Sequence, residues 1–190
     1  MSSHLSPGLH FSPERNWMND PNGLIFYKGK YHLFFQHNPF ENVWGNMSWG
    51  HAVSTDLYSW KELSVAINCT PTSGIFSGSA VVDFENTSGF GTKENPPIVA
   101  IYTEHQNDES NQSQCLAYSV DEGLTFTKYE GNPVLDLNLP NFRDPKVNWI
   151  DGQWIMTLAL PQEFKISFYS SPNLKDWTHL SDFGPAAEVG

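Results

Sequence analysis

The 190-residue chain is long enough for one domain with a sizeable core, and its formal net charge is −11 without any run of Lys or Arg. This balance makes nucleic acids and anionic membrane surfaces poor partners, whereas a neutral ligand such as a sugar fits it. No apolar stretch reaches the length of about 18 residues that a membrane-spanning helix needs.

Aromatic residues make up 14% of the chain, and Gly and Pro occur 14 and 13 times. This mixture is typical of short strands joined by tight turns and disfavours long helices, so we expect an all-β fold. Paired strand signals recur in chain order, each pair meeting at a turn or loop. The predicted pairs are residues 24–27 with 31–35, 79–83 with 98–102, and 147–150 with 153–158.

A related segment follows each predicted pair, in which a strand ends at Ser, turns through Asp or Asn, and restarts at an aromatic residue. The restarting residues Trp60, Phe126 and Trp177 lie 66 and then 51 residues apart, a repeat length typical of propeller blades with about four strands. The sequence therefore predicts nearly three blades of a β-propeller, whereas a closed ring needs at least four.

The second of these segments, residues 119–126, also resembles the Asp-box turn of sialidase-like propellers. We expect Asp121 to cap backbone amides there and Phe126 to pack between blades, which is a structural role.

Three motifs stand just before the first strand of each predicted blade, at the entry to that strand. They are Asp20-Pro21, Phe76-Ser77 and Asp144-Pro145. Because the first strands of a propeller line its central axis, these motifs are expected to meet at one mouth, with two carboxylates facing one pocket. A carboxylate pair in a pocket is the machinery of glycoside hydrolysis, and Arg143 beside Asp144 is expected to keep that carboxylate ionised and fixed in geometry.

Five motifs in order resemble those of glycoside hydrolase family 32, the invertase, inulinase and levanase family. They are residues 10–23, 31–39, 44–52, 76–79 and 141–145. The resemblance implies a five-bladed catalytic β-propeller, of which residues 1–190 form the N-terminal part of about three blades. It implies a retaining hydrolase of sucrose or fructans that uses no metal or other cofactor.

The resemblance also implies a role for each matching residue. Asp20 is expected to be the nucleophile, and Asp144 to stabilise the transition state. The residues expected to bind or wall the fructosyl unit are Asn19, Gln36, Trp44, Phe76, Ser77 and Arg143. For Trp44 the alternative is ordinary packing between blades.

The family's acid/base is a Glu followed by Cys, after the last strand of the third blade. Glu188 is not followed by Cys and lies slightly early, so it is not assigned that role. We expect this polypeptide alone to be inactive. The alternatives are a fructosyltransferase of the same family or a non-catalytic sugar-binding fragment. A sialidase is rejected because the chain holds only Arg15 and Arg143, whereas that site uses three arginines.

Four glycosylation sequons, at Asn46, Asn68, Asn86 and Asn111, favour a secreted parent protein. Residues 1–10 show no signal peptide, which leaves a cytoplasmic location as the alternative. Cys69 and Cys115 are either bonded or free. The histidines show no paired spacing of metal ligands, and His51 is expected near the pocket wall.

Overall fold

The computed structural model describes residues 10–185, which form thirteen β-strands and one short 3-10 turn, Pro161–Glu163. The strands make three antiparallel sheets in chain order. Sheet 1 contains β1 (Met18–Tyr27), β2 (Lys30–His37), β3 (Ser48–Ser54) and β4 (Lys61–Glu62), paired in that order.

Sheet 2 has five strands. It contains β5 (Ser73–Val82), β6 (Ile98–Gln106), β7 (Gln112–Ser119) and β8 (Thr127–Lys128) in order, with β9 (Leu135–Leu139) also paired to β7. Sheet 3 repeats the plain four-strand order and contains β10 (Arg143–Ile150), β11 (Gln153–Leu160), β12 (Lys165–Ser171) and β13 (Thr178–Phe183).

Tight hairpins join the first two strands of sheets 1 and 3. Both central residues of each turn have positive φ: 45° and 79° at Lys28-Gly29, and 48° and 84° at Asp151-Gly152. Turns of this kind match the twist of the flanking strands, and Gly at the second position adopts the conformation without a steric penalty. The hairpins are those predicted from the sequence.

Two apolar clusters lie between the sheets, and the middle sheet contributes to both. In β6, Ala100 and Tyr102 belong to the cluster shared with sheet 1, whereas Val99 and Ile101 belong to the cluster shared with sheet 3. Successive side chains of a strand point to opposite faces, so a strand buried on both faces has a continuous apolar run. Burial on both faces explains why residues 98–102 are all apolar, without alternating polar residues.

The turn after the third strand of each sheet is held by a Ser–Asx pair. In sheet 2, Asp121 accepts hydrogen bonds from the backbone N–H and the hydroxyl of Thr125, at 2.9 and 2.6 Å. The ring of Phe126 meets Phe34 of sheet 1 edge-on, with centroids 5.4 Å apart. The structural role expected for residues 119–126 is confirmed.

The all-β prediction is confirmed, but the first strands begin earlier than the sequence indicated. Asp20, Ser77 and Asp144 lie inside β1, β5 and β10 rather than before them. The expectation failed because each strand is interrupted at these residues by a β-bulge, where a proline or polar residue does not break the ladder.

Among residues 10–185, no helix is long and apolar enough to cross a membrane. Cys69 and Cys115 are both free, and Cys115 is buried. Burial far from water raises the pKa of the Cys115 thiol well above its usual value, so this thiol stays protonated.

Candidate active site

A cavity of about 170 Å³ opens where the first strands of the three sheets meet. β1 packs against β5, and β5 packs against β10, so the three first strands lie next to one another. All eight residues singled out in the sequence line this cavity, together with Met47. They are Asn19 and Asp20 of β1, Gln36 of β2, Trp44 in the β2–β3 loop, Phe76 and Ser77 of β5, and Arg143 and Asp144 of β10.

The same irregularity in each first strand turns these side chains into the cavity. In each first strand, two consecutive residues lie opposite a single residue of the next strand. These are residues 19–20 in β1, 76–77 in β5 and 144–145 in β10. A bulge of this kind bends the strand and redirects its side chains. The three motifs therefore occupy equivalent bulges, as their sequence positions indicated.

The two Asp-Pro pairs are offset by one residue within these bulges. Asp20 is the second residue of its bulge and lies at the position of Ser77, whereas Asp144 is the first residue of its own. Asp144 also has a φ of 63°, which is uncommon for a residue with a side chain. The two carboxylates thus reach the same cavity from different backbone geometries.

Asp20 is exposed to the cavity and accepts a hydrogen bond from the hydroxyl of Ser77, with an Oγ–Oδ2 distance of 3.0 Å. Behind it, the buried side chain of Asn22 accepts the N–H of Gly78 through Oδ1 at 3.1 Å. Its amide nitrogen lies 3.4 Å from the carbonyl of Asp20. Asn22 therefore ties the bulge of β1 to that of β5.

Gly78 is required by the close approach of β5 to β6. A Cβ atom at this position would lie 2.1 Å from the carbonyl oxygen of Ile101, which is far inside van der Waals contact. The glycine in the Phe-Ser-Gly-Ser motif therefore brings Phe76 and Ser77 to the cavity without a backbone clash.

Gln36 and Trp44 form different parts of the cavity wall. Gln36 is buried, and its Nε2 donates to the carbonyl of Ile75 at 3.0 Å. Trp44 is 62% exposed and meets Phe76 edge-on, with ring centroids 6.3 Å apart. So exposed a ring is not packed between the sheets. That it gives an apolar wall to a sugar stays a prediction.

Arg143 and Asp144 form a loose ion pair. The Arg143 Nε lies 3.9 Å from Asp144 Oδ2, and its Nη1 donates to Asn141 Oδ1 at 2.9 Å. Partial loss of water raises the pKa of Asp144; Arg143 pulls this pKa down and the charge of Asp20 pushes it up. The predicted partners are thus paired, but through a long contact, and Asp144 is about half exposed. That Arg143 keeps Asp144 ionised and fixed stays a prediction.

The chain matches the family model of the glycosyl hydrolases family 32 N-terminal domain over residues 10–189. It is 53% identical to the levanase of Bacillus subtilis over 181 residues, which cover 94% of this chain and 26% of that protein. The chain belongs to glycoside hydrolase family 32.

Solved structures of family 32 match the fold closely. The exo-inulinase of Aspergillus awamori superposes with a TM-score of 0.87 at 46% identity, over 93% of this chain and 39% of that chain. A fructofuranosidase from Schwanniomyces occidentalis, complexed with fructose, gives a TM-score of 0.87 at 49% identity, over 93% and 36%. The all-β propeller fold is thereby confirmed. That the three sheets are three of five blades stays a prediction.

The chain spans only about a quarter to two fifths of the length of these family 32 relatives. Glu188, which the sequence analysis did not assign as the acid/base, lies outside the described residues. Within residues 10–185 no glutamate is among the side chains lining the cavity, and no three His, Cys, Asp or Glu side chains are grouped to hold a metal ion.

Sequence reasoning missed several residues that support the family 32 site. Asn22 and Met47 belong to the recognised motifs, but nothing in their residue types assigned them a function. The prediction for His51 was wrong: this residue is absent from the cavity lining and packs against His32 and Phe34, deep between sheets 1 and 2. A strand pattern gives the face on which a residue lies, but not which neighbouring sheet covers that face.

Proposed function

We propose that this chain is the N-terminal part of the catalytic propeller of a longer, retaining fructosidase that releases terminal β-fructofuranosyl units from sucrose or fructans such as inulin and levan. The proposal is supported by the observation that Asp20, Asp144 and six further residues of the family motifs line one and the same cavity. Relatives of the chain are named levanase, exo-inulinase and invertase.

In the proposed reaction Asp20 attacks the anomeric carbon of the fructosyl unit. A bond forms between the Asp20 carboxylate and that carbon while the glycosidic carbon–oxygen bond breaks, and an acid/base glutamate gives its proton to the leaving oxygen. Water then attacks the same carbon, the glutamate takes back a proton, and Asp20 is released. Two displacements on one carbon restore its configuration.

The other lining residues hold the sugar and stabilise charge. Asp144 lies beside the developing oxocarbenium ion and opposes its positive charge, while Arg143 and Asn19 hydrogen-bond fructosyl hydroxyls. Gln36 and Ser77 hold the walls around Asp20, and Trp44 and Phe76 give the apolar surface on which a sugar ring packs.

We place the acid/base glutamate outside the described residues, because no glutamate lines the cavity within them. Since Glu188 is not followed by Cys as the family's acid/base is, we propose that residues 1–190 alone lack general acid help, which is typically worth about 10²–10⁴ in rate. We further propose that the parent enzyme is secreted, since relatives are named extracellular exo-inulinases and the sequence carries four sequons.

The test is a product analysis with the intact enzyme on sucrose, inulin and levan, beside its Asp20→Asn variant. We expect free fructose from at least one substrate and none above background from the variant. Longer oligosaccharides in place of fructose would indicate a fructosyltransferase. Binding of sugar without any turnover would overturn the enzymatic proposal.

A further inference from the structure

The backbone of Asp144 is held by side chains of the neighbouring sheet. Its bulge removes its N–H from the ladder with β11, and its left-handed conformation, with φ of 63°, is one that residues other than Gly rarely adopt. The N–H donates instead to the Thr103 hydroxyl on β6, at 3.1 Å. Thr103 is fully buried, so water does not compete for this contact.

The hydroxyl of Thr103 is itself oriented by a second buried residue. It donates to Gln114 Oε1 on β7 at 2.9 Å, and Gln114 Nε2 donates to the carbonyl of Phe142 at 2.7 Å. Since the one hydroxyl proton of Thr103 is used for Gln114, an oxygen lone pair faces the Asp144 N–H. The network therefore fixes the backbone on both sides of Arg143.

Gln112 extends the same network. Its Oε1 accepts the N–H of Phe142 at 3.1 Å. Gln112, Thr103 and Gln114 are all buried in sheet 2, and none of them lines the cavity. They contact the backbone beside the carboxylate rather than the carboxylate itself.

Docking of β10 on sheet 2 does not depend on Thr103 alone. Ser79 donates to the carbonyl of Pro145 at 2.9 Å and accepts the N–H of Val147 at 3.0 Å. Val147 and Phe142 also contribute to the apolar cluster between sheets 2 and 3. Loss of the Thr103 hydroxyl is therefore expected to shift Asp144 while leaving the strand in place.

We propose that Thr103, oriented by Gln114, is a positioning residue that sets the direction of the Asp144 carboxylate towards the sugar. The inference rests on the proposed function, since it assumes that Asp144 stabilises the transition state. This role in turnover belongs to a residue outside the cavity. With the backbone of Asp144 held by Thr103, a loose contact with Arg143 is enough to keep the carboxylate in place. The ion pair does not have to orient the carboxylate, because the backbone already does.

The experiment is a double-mutant cycle in the intact enzyme with Thr103→Val and Asp144→Asn, measuring kcat and KM on sucrose. Val keeps the shape of Thr but accepts no hydrogen bond. We expect Thr103→Val to lower kcat by about 10- to 100-fold, in line with the effect of a small misplacement of a reacting group. In the Asp144→Asn background the same change should lower kcat by less than about 2-fold.

Two further variants separate positioning from stability. Thr103→Ser, which retains the hydroxyl, should restore most of the turnover. Ser167→Ala removes another buried hydroxyl, which lies two strands from β10, does not line the cavity and donates to Asp182 at 2.7 Å. This variant should lower the unfolding temperature without changing kcat. If Thr103→Val does not fold, Gln114→Met tests the same network through the residue that orients the hydroxyl. We expect Gln114→Met to lower kcat by a smaller factor in the wild-type background, and to have little effect in the Asp144→Asn background.

Equal losses of kcat from Thr103→Val in both backgrounds, or no loss in either, would overturn the positioning role. Failure of the proposed function looks different: the wild-type enzyme would release no fructose, or Asp144→Asn would retain the wild-type kcat.

Discussion

The hydroxyl of Ser77 donates a 3.0 Å hydrogen bond to the carboxylate of Asp20, although the two residues lie on different sheets. Each occupies the second position of an equivalent bulge, in β5 and β1. The bond fixes the direction of one carboxylate oxygen, Oδ2. A carboxylate held in this way suits the proposed role of Asp20 as the nucleophile.

Replacement of Asp20 by Asn should abolish turnover while sparing the fold. Asn has the same shape and can still accept from Ser77, but it forms no covalent fructosyl intermediate, so kcat should fall by at least about 1,000-fold. The side chain is exposed, so the unfolding temperature should stay close to that of the wild type. Turnover above a few per cent of the wild-type rate would exclude Asp20 as the nucleophile.

Replacement of Ser77 by Ala should weaken catalysis without abolishing it. A hydrogen bond to a charged group is worth roughly 1.5–3 kcal/mol, so kcat/KM on sucrose should fall by about 10- to 100-fold. Ser181→Ala, at an exposed position of β13, is the matched control and should leave kcat/KM unchanged. Equal values for both variants would show that the contact with Asp20 does not matter for the reaction.

The intact enzyme should release fructose with its anomeric configuration retained, because a covalent intermediate on Asp20 requires two displacements. The acid/base carboxyl should then lie about 5–5.5 Å from that of Asp20. NMR of the product, recorded before mutarotation, reports the configuration directly. An inverted first product would contradict the double displacement.

The buried histidine pair should make the fold less stable in acid. His32 and His51 stack with a ring nitrogen contact of 3.1 Å, and burial lowers the pKa of both, that of His51 to about 3. Of the charges near His32, Lys30 lowers its pKa further and Glu122 raises it. Both rings are therefore neutral in the folded protein at pH values where they take up protons in the unfolded chain.

Stability from this pair is present above the ordinary histidine pKa of about 6.5 and is lost as the pH falls towards 3. At pH 4.5 the loss from His51 alone should be roughly 2–3 kcal/mol. Urea unfolding of the wild type and of His51→Gln, at pH 7 and at pH 4.5, measures this loss in the free energy of unfolding. The variant should lose less stability between the two pH values, and an equal loss would show that His51 does not carry the effect.

Residues 1–190 expressed alone should release no fructose at an enzymatic rate. We place the acid/base glutamate outside these residues. In addition, β13 has an edge without a partner strand in the described structure, which invites pairing with another chain. Gel filtration followed by a fructose assay on sucrose and inulin tests both points. Rapid turnover by a monomeric fraction would mean that a group within these residues supplies the proton.

Local sequence determined the hairpins of this protein and the identity of its cavity residues. The two hairpins were predictable because Lys28-Gly29 and Asp151-Gly152 are turn dipeptides between apolar runs, and a turn depends on only a few residues. The family motifs then named the eight cavity residues, since their order along the chain is a property of the sequence itself.

The tertiary structure decided how those residues are held. Thr103, Gln114 and Asn22 support the carboxylates through contacts between different sheets, and no periodicity along one strand encodes which strand lies opposite it. The positive φ of Asp144 and the partial loss of water that raises its pKa likewise arise only when β10 packs against sheet 2. The sequence therefore determined which groups take part, whereas their directions and charges were decided by non-local packing, because they depend on neighbours distant along the chain.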